Sequence, residues 1–251
     1  MGNRQRRLTS LAKLYLWATH RLYNEFAWAY DLVSWVISLG HWSRCRRMAL
    51  DHATGGRVLE IGFGTGELLI EMAERHWRAC GLEPSPAMHR VAAGKMRRRG
   101  VQVPRVRGYA QAMPFIDGSF DAIVATFPAD YILSPASLQE VARLLRPPDR
   151  STNARGGRFI IAGLFFETDS LILRHASRLI CGGLADNVAI RYDQLATPAG
   201  FKLTMVTDKA KRFRCPILIL EKSDVPLSAR PDASDAERCE RLTALRLGEA
   251  T

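Results

Sequence analysis

An apolar run that leads into three alternating glycines constrains this chain more than any other feature: Val58-Leu59-Glu60-Ile61-Gly62-Phe63-Gly64-Thr65-Gly66-Glu67-Leu68-Leu69. The first residues have the short apolar character of a buried strand, and the last open a helical run. Glycines at the junction let the chain turn tightly and let a ligand approach the backbone where the helix begins. The same alternation recurs downstream. Strands are expected over Arg57–Ile61, Ala79–Leu82, Val103–Val106, Phe120–Ala125 and Arg158–Ala162, and helices over Gly66–Arg75, Ser85–Arg98 and Ser134–Leu145. Strand–helix alternation implies an α/β fold with a doubly wound, mostly parallel sheet. Phe201–Val206 and Pro216–Leu220 read as two closing strands. Their connection is too short for a crossover helix, so they pair antiparallel.

The length of 251 residues suits one such domain better than two. We place it over residues 55–222, after a helical N-terminal extension (1–54) and before a mobile tail (223–251). The extension carries Leu8, Leu11, Tyr15, Ala18, Leu22 and Phe26 at helical spacing, then Trp28, Leu32, Trp35, Leu39 and Trp42. A helix is expected to resume from Trp42 to His52. The net charge is +11, and residues 1–50 hold eight Arg or Lys against only Glu25 and Asp31. This asymmetry suggests an anionic partner at that end, with nucleic acid, anionic lipid and acidic substrates all admissible. The five cysteines are widely spaced and form no CxxC pair. Neither a disulfide framework nor a metal site is expected, and a reducing cytoplasm is the expected compartment. No apolar run has the length of a spanning helix, and the N-terminus lacks the pattern of a signal peptide.

Two details set the glycine loop apart from a dinucleotide site. Its spacing is GxGxG rather than GxGxxG, and the acidic Glu60 stands two residues before the first glycine. A carboxylate repels a pyrophosphate but complements S-adenosylmethionine (SAM), whose sulfonium and amino groups are positive. A second acid, Glu83, follows the next strand, where a carboxylate can accept both ribose hydroxyls.

These segments resemble class I SAM-dependent methyltransferases. Glu60–Gly66 is similar to their first motif, and Gly81-Leu82-Glu83-Pro84-Ser85-Pro86-Ala87-Met88 to their second. Gly108-Tyr109-Ala110-Gln111-Ala112-Met113-Pro114-Phe115, with Asp117-Gly118-Ser119-Phe120-Asp121, resembles the third. Glu140–Pro147 resembles the helix before strand five. The resemblance spans about residues 25–222. It implies a Rossmann-like seven-stranded sheet, mostly parallel with an antiparallel last strand. It also implies roles. Gly62, Gly64 and Gly66 would face the methionine part, with Glu60 beside them, and Glu83 the ribose. Ala110 and Gln111 would border the adenine, with Pro84 and Met88 on its apolar side, and Thr126 would end strand four beside the methyl donor. Tyr109 departs from the family pattern, which has Asp there to accept the adenine amino group. Near the N-terminus, Phe26–Val33 and Ser38-Leu39-Gly40-His41-Trp42 resemble the ubiquinone/menaquinone C-methyltransferases and, more distantly, phospholipid N-methyltransferases, which act on lipophilic substrates.

Methyl transfer needs alignment of donor and acceptor, and a base only where the acceptor must lose a proton. Candidates are Tyr30, Asp31, His41, Asp130 and Tyr131, the last two directly after strand four. Thr126-Phe127-Pro128-Ala129 stands where an Asn-Pro-Pro-Tyr signature would mark amino-group methylation. The expected activity is C- or O-methylation of a small aromatic or lipophilic acceptor, with peripheral contact to an anionic membrane. The enzyme alternative is an RNA methyltransferase, motivated by the net charge, although no RNA-binding module is evident. The third alternative is a non-catalytic, membrane-associated SAM-binding protein, at which Tyr109 hints.

Overall fold

The computed structural model describes residues 41–53, 55–128, 130–149, 151, 155–163, 167–168, 199–207 and 213–222. In chain order the elements are α1 (His41–His52), β1 (Arg57–Ile61), α2 (Glu67–Glu74), β2 (Arg78–Leu82), α3 (Pro86–Arg99), β3 (Arg105–Val106) and β4 (Ala122–Thr126). A 3₁₀ turn (Asp130–Leu133), α4 (Pro135–Leu144), β5 (Arg158–Ala162), β6 (Glu167–Thr168), β7 (Phe201–Thr207), β8 (Phe213–Arg214) and β9 (Pro216–Lys222) follow. Seven strands form one sheet in the order β3-β2-β1-β4-β5-β9-β7, and β6 pairs with β8 in a small second sheet. The β3–β5 half is parallel throughout. Strand β9 runs antiparallel to both β5 and β7. The sheet is therefore the expected one: seven strands, mostly parallel, with the last strand reversed.

Each central strand is apolar on both faces, as burial between two helical layers requires. On one face, Val58, Ala122, Val124, Ile160, Ala162, Ile217 and Ile219 pack with Ala49 and Leu50 of α1, Leu68, Leu69 and Met72 of α2, and Ala92 and Met96 of α3. On the other, Leu59, Ile61, Ile123, Ala125, Phe159, Ile161, Leu218 and Leu220 pack with Leu138, Val141 and Leu144 of α4. Helix α1 is tied to the sheet by a second contact: the Cys45 and Cys215 thiols are buried and hydrogen-bonded to each other, which pushes the Cys45 pKa well up.

Helix boundaries follow local chemistry. Ser85 and Ser134 cap α3 and α4 by accepting the Met88 and Ser137 N–H groups, each with proline at the first helical position. Gly100, at φ 66°, ends α3. Two strands differ from their expected ranges. β3 begins at Arg105 rather than Val103, because Pro104 has no N–H to give the ladder; its carbonyl still accepts from Gly81. β4 begins at Ala122 rather than Phe120, because the Phe120 N–H and carbonyl bond to Leu144 and Arg146 instead of a sheet neighbour. The small β6–β8 sheet has no counterpart in the sequence reading. The aromatic stripe before residue 41 and the tail over 223–251 lie outside the described residues.

Candidate active site

The site is built where β1, β2 and β4 end. Gly62, Gly64 and Gly66 all have positive φ (73°, 52° and 80°). The loop leaves β1 through Gly62, whose N–H donates to Leu82 at 2.7 Å, and closes on itself where Gly66 N–H donates to the Phe63 carbonyl at 2.8 Å. Gly66 must be glycine twice over: an added Cβ would stand 2.9 Å from the Ala92 Cβ of α3, and the residue caps α2 in the left-handed conformation. A Cβ on Gly64 would meet nothing within 4 Å, so the outer side of the loop is open.

Two carboxylates lie beside the loop, each only 2% exposed. Glu83, directly after β2, accepts the Gly64 N–H through Oε2 (3.2 Å) and the Ser85 N–H through Oε1 (2.9 Å). Burial raises its pKa, and these two hydrogen bonds pull the other way. Glu60, in β1, is held differently. It accepts the Leu69 backbone N–H from the first turn of α2, but its Oε2 is buried without a partner. Burial pushes the Glu60 pKa up to about 8; Arg46 of α1 opposes the shift and the nearby Glu83 charge adds to it. A buried carboxylate oxygen with no partner is costly in a finished structure. It suits a site that receives a cationic donor, and SAM brings such a group. The donor set therefore fits this cofactor.

The remaining expected cofactor residues follow β2 and β3 or end β4. Met88 is fully buried in the first turn of α3, and the Pro84 carbonyl accepts from Arg107 Nε at 3.1 Å. Ala110 is buried and Gln111 half-buried in the turn closed by the Ala112 N–H on the Tyr109 carbonyl. Tyr109 itself is 58% exposed. Arg143 of α4 fastens this loop, donating to Glu140, Asp117 and the carbonyls of Met113 and Phe115. Glu140 Oε2 in turn accepts the Met113 N–H at 2.7 Å. Thr126 is the last residue of β4 and pairs with Ala162.

Among the candidate bases, Tyr131 is brought to the loop: its hydroxyl lies 3.2 Å from where a Cβ on Gly62 would stand. Its carbonyl accepts from the Ser134 N–H and from Ser137 Oγ at 2.7 Å, which fixes the turn against α4. Asp130 opens that turn and His41 opens α1, but their side chains, and the whole of Tyr30 and Asp31, lie outside the described residues. Two residues escaped the sequence reading. Arg46 had counted only toward the N-terminal charge, and its position on α1 gave no signal that it acts on Glu60. Phe127, directly after β4, has φ 52°, a value that side-chain-bearing residues seldom adopt.

With this geometry in place, comparison with known proteins defines the class. Residues 58–148 match the family model of a methyltransferase domain. The fold is shared with a Pyrococcus horikoshii protein (TM-score 0.54, 14% identity, over 81% of this chain and 96% of that one). It is also shared with the geranyl diphosphate C-methyltransferase of Streptomyces coelicolor (TM-score 0.51, 14% identity, 72% and 79%). The chain thus carries a methyltransferase domain over residues 58–148, on a Rossmann-like fold. More particularly, it is similar to demethylmenaquinone methyltransferases: that of Mycolicibacterium gilvum is 33% identical over 154 residues, covering 60% of this chain and 61% of the relative. That of Thermus thermophilus is 34% identical over 149 residues, covering 56% and 63%. The chain spans less than two thirds of the length of these relatives.

Proposed function

We propose that this protein is a SAM-dependent C-methyltransferase for a lipophilic aromatic acceptor of the quinol type. One observation carries the reading of the site. Two buried carboxylates, Glu60 with an unpartnered oxygen and Glu83 bonded to the Gly64 N–H, accompany the Gly62–Gly66 loop, which is open at Gly64. The acceptor class rests on the similarity to demethylmenaquinone methyltransferases.

When bound, SAM supplies a methyl group already activated by its sulfonium. Glu60 meets its positive amino group, the three glycines give its methionine part room against the backbone, and Glu83 takes the ribose hydroxyls. Ala110, Gln111, Pro84 and Met88 border the adenine, and Thr126 stands beside the donor end. The chain's further task is to align the acceptor and take a proton from its hydroxyl, since an ionised quinol is the better carbon nucleophile. Tyr131, Asp130, His41 and Tyr30 are the groups we assign to that region. A polyprenyl quinol partitions into lipid, and the basic N-terminal segment supports peripheral contact with an anionic membrane surface.

Incubation with methyl-labelled SAM and a demethylated naphthoquinol, followed by mass spectrometry of the extract, should yield the ring-methylated product. Label entering bulk tRNA and not the quinol would replace this reading with RNA methylation. No transfer to either, with the cofactor product S-adenosylhomocysteine (SAH) still bound, would leave a cofactor-binding protein without catalysis.

A further inference from the structure

We propose that Phe127 is the residue that fits the acceptor to the site: its ring forms the apolar wall of the acceptor chamber and is held there by Gly163. The inference rests on the methyltransferase reading and adds to it the group that selects a planar aromatic substrate.

Phe127 is the first residue beyond β4, and its N–H donates to the Ala162 carbonyl at 2.7 Å. The β1–β4 register sets Glu60 opposite Val124, so the glycine loop and Phe127 leave the same edge of the sheet as neighbours. Ligands of open α/β sheets gather at this carboxyl edge. The Phe127 backbone has φ 52°, where glycine or asparagine would sit with less strain. A strained side-chain-bearing residue persists only where its surroundings over-determine it.

Those surroundings are Gly163, immediately after β5. It has φ 77°, and a Cβ there would fall on the Phe127 ring. The ring therefore lies directly on the glycine backbone, a position no other residue at 163 would permit. Two unusual backbones are matched to seat one aromatic ring, on a residue that is half-buried. On the neighbouring side, the Tyr131 hydroxyl approaches Gly62, so an aromatic wall and a polar group stand on the same rim as the glycine loop. A flat aromatic acceptor can stack on such a ring.

The test compares wild type, Phe127→Gly and Gly163→Ala, each saturated with SAH, by calorimetric titration of α-naphthol, a planar apolar probe. Phe127→Gly removes the ring and relaxes the backbone, so the fold should survive. Gly163→Ala keeps the ring but displaces it. Both should bind the probe roughly tenfold more weakly than wild type while retaining SAH affinity. Equal probe affinity in wild type and Phe127→Gly would overturn the proposal, as would absence of probe binding to wild type or loss of SAH binding in Phe127→Gly. Normal probe binding by Gly163→Ala would overturn the assigned seat. Methyl transfer by wild type is read separately: its absence sinks the proposed function, whereas the probe contrast decides the role of Phe127.

Discussion

Replacing Glu60 by Gln should make the protein more stable, and increasingly so as pH rises. The folded-state pKa of Glu60 stands at about 8 against an ordinary 4.5. An acid whose pKa is raised on folding is bound to its proton more tightly in the native state, so stability is greatest below the unfolded pKa and falls as pH climbs from 4.5 to 8. Integrated over that window, the carboxyl costs about 1 kcal/mol at pH 5 and roughly 3 kcal/mol at pH 7. Glutamine has nearly the same shape and does not titrate. Urea unfolding of both proteins at pH 5, 6, 7 and 8 should therefore show curves that diverge by about 3 kcal/mol across the series, with wild type declining faster. Groups common to both proteins cancel in the difference. Parallel stability curves would refute the argument that Glu60 is buried at a cost. A cation placed against Glu60 reverses its sign: SAH binding to wild type near pH 7 should release a proton, seen as a heat that depends on the buffer, and Glu60→Gln should lose that dependence.

Gly66→Ala combines a φ of 80° with a Cβ 2.9 Å from that of Ala92, so it should cost about 1–3 kcal/mol and several degrees of Tm, with weakened SAH binding. Differential scanning calorimetry gives the first and titration the second; an unshifted Tm would mean that α3 yields easily at Ala92. For the basic segment, full-length protein should co-sediment with anionic vesicles and a chain lacking residues 1–24 should not; equal sedimentation would remove the membrane contact.

The residues that were legible in the sequence are those whose chemistry is local. Gly62, Gly64 and Gly66 announced a turn only glycine can make, and Glu60 and Glu83 fell at strand ends because each apolar run stops beside them. The parallel sense of the sheet and its antiparallel closing pair followed from alternation and connection length. Boundaries were harder, since they depend on partners far along the chain: Phe120 looks like a strand residue until Leu144 and Arg146 take its backbone groups. Phe127 was not legible at all. A residue before proline reads as extended, and only the arrival of Gly163 from β5 makes a positive φ there tenable. The influence of Arg46 on Glu60 has the same origin: a charge carried on α1 reaches a carboxyl of β1, which no spacing encodes.

What the two carboxylates share, and where they differ, bears on how such a site can exist before its ligand arrives. Glu83 is satisfied by the loop itself, through Gly64 and Ser85, and so helps to hold the glycines in place. Glu60 has one oxygen bound by the start of α2 and one left without a partner. The first arrangement shapes the cradle. The second leaves part of the fold's stability unrealised until a positive group enters, and burial of Glu60 magnifies the attraction that group then feels. On this reasoning a more stable Glu60→Gln protein should also bind cofactor less tightly, since the change that removes the folding penalty removes the charge that draws the ligand in.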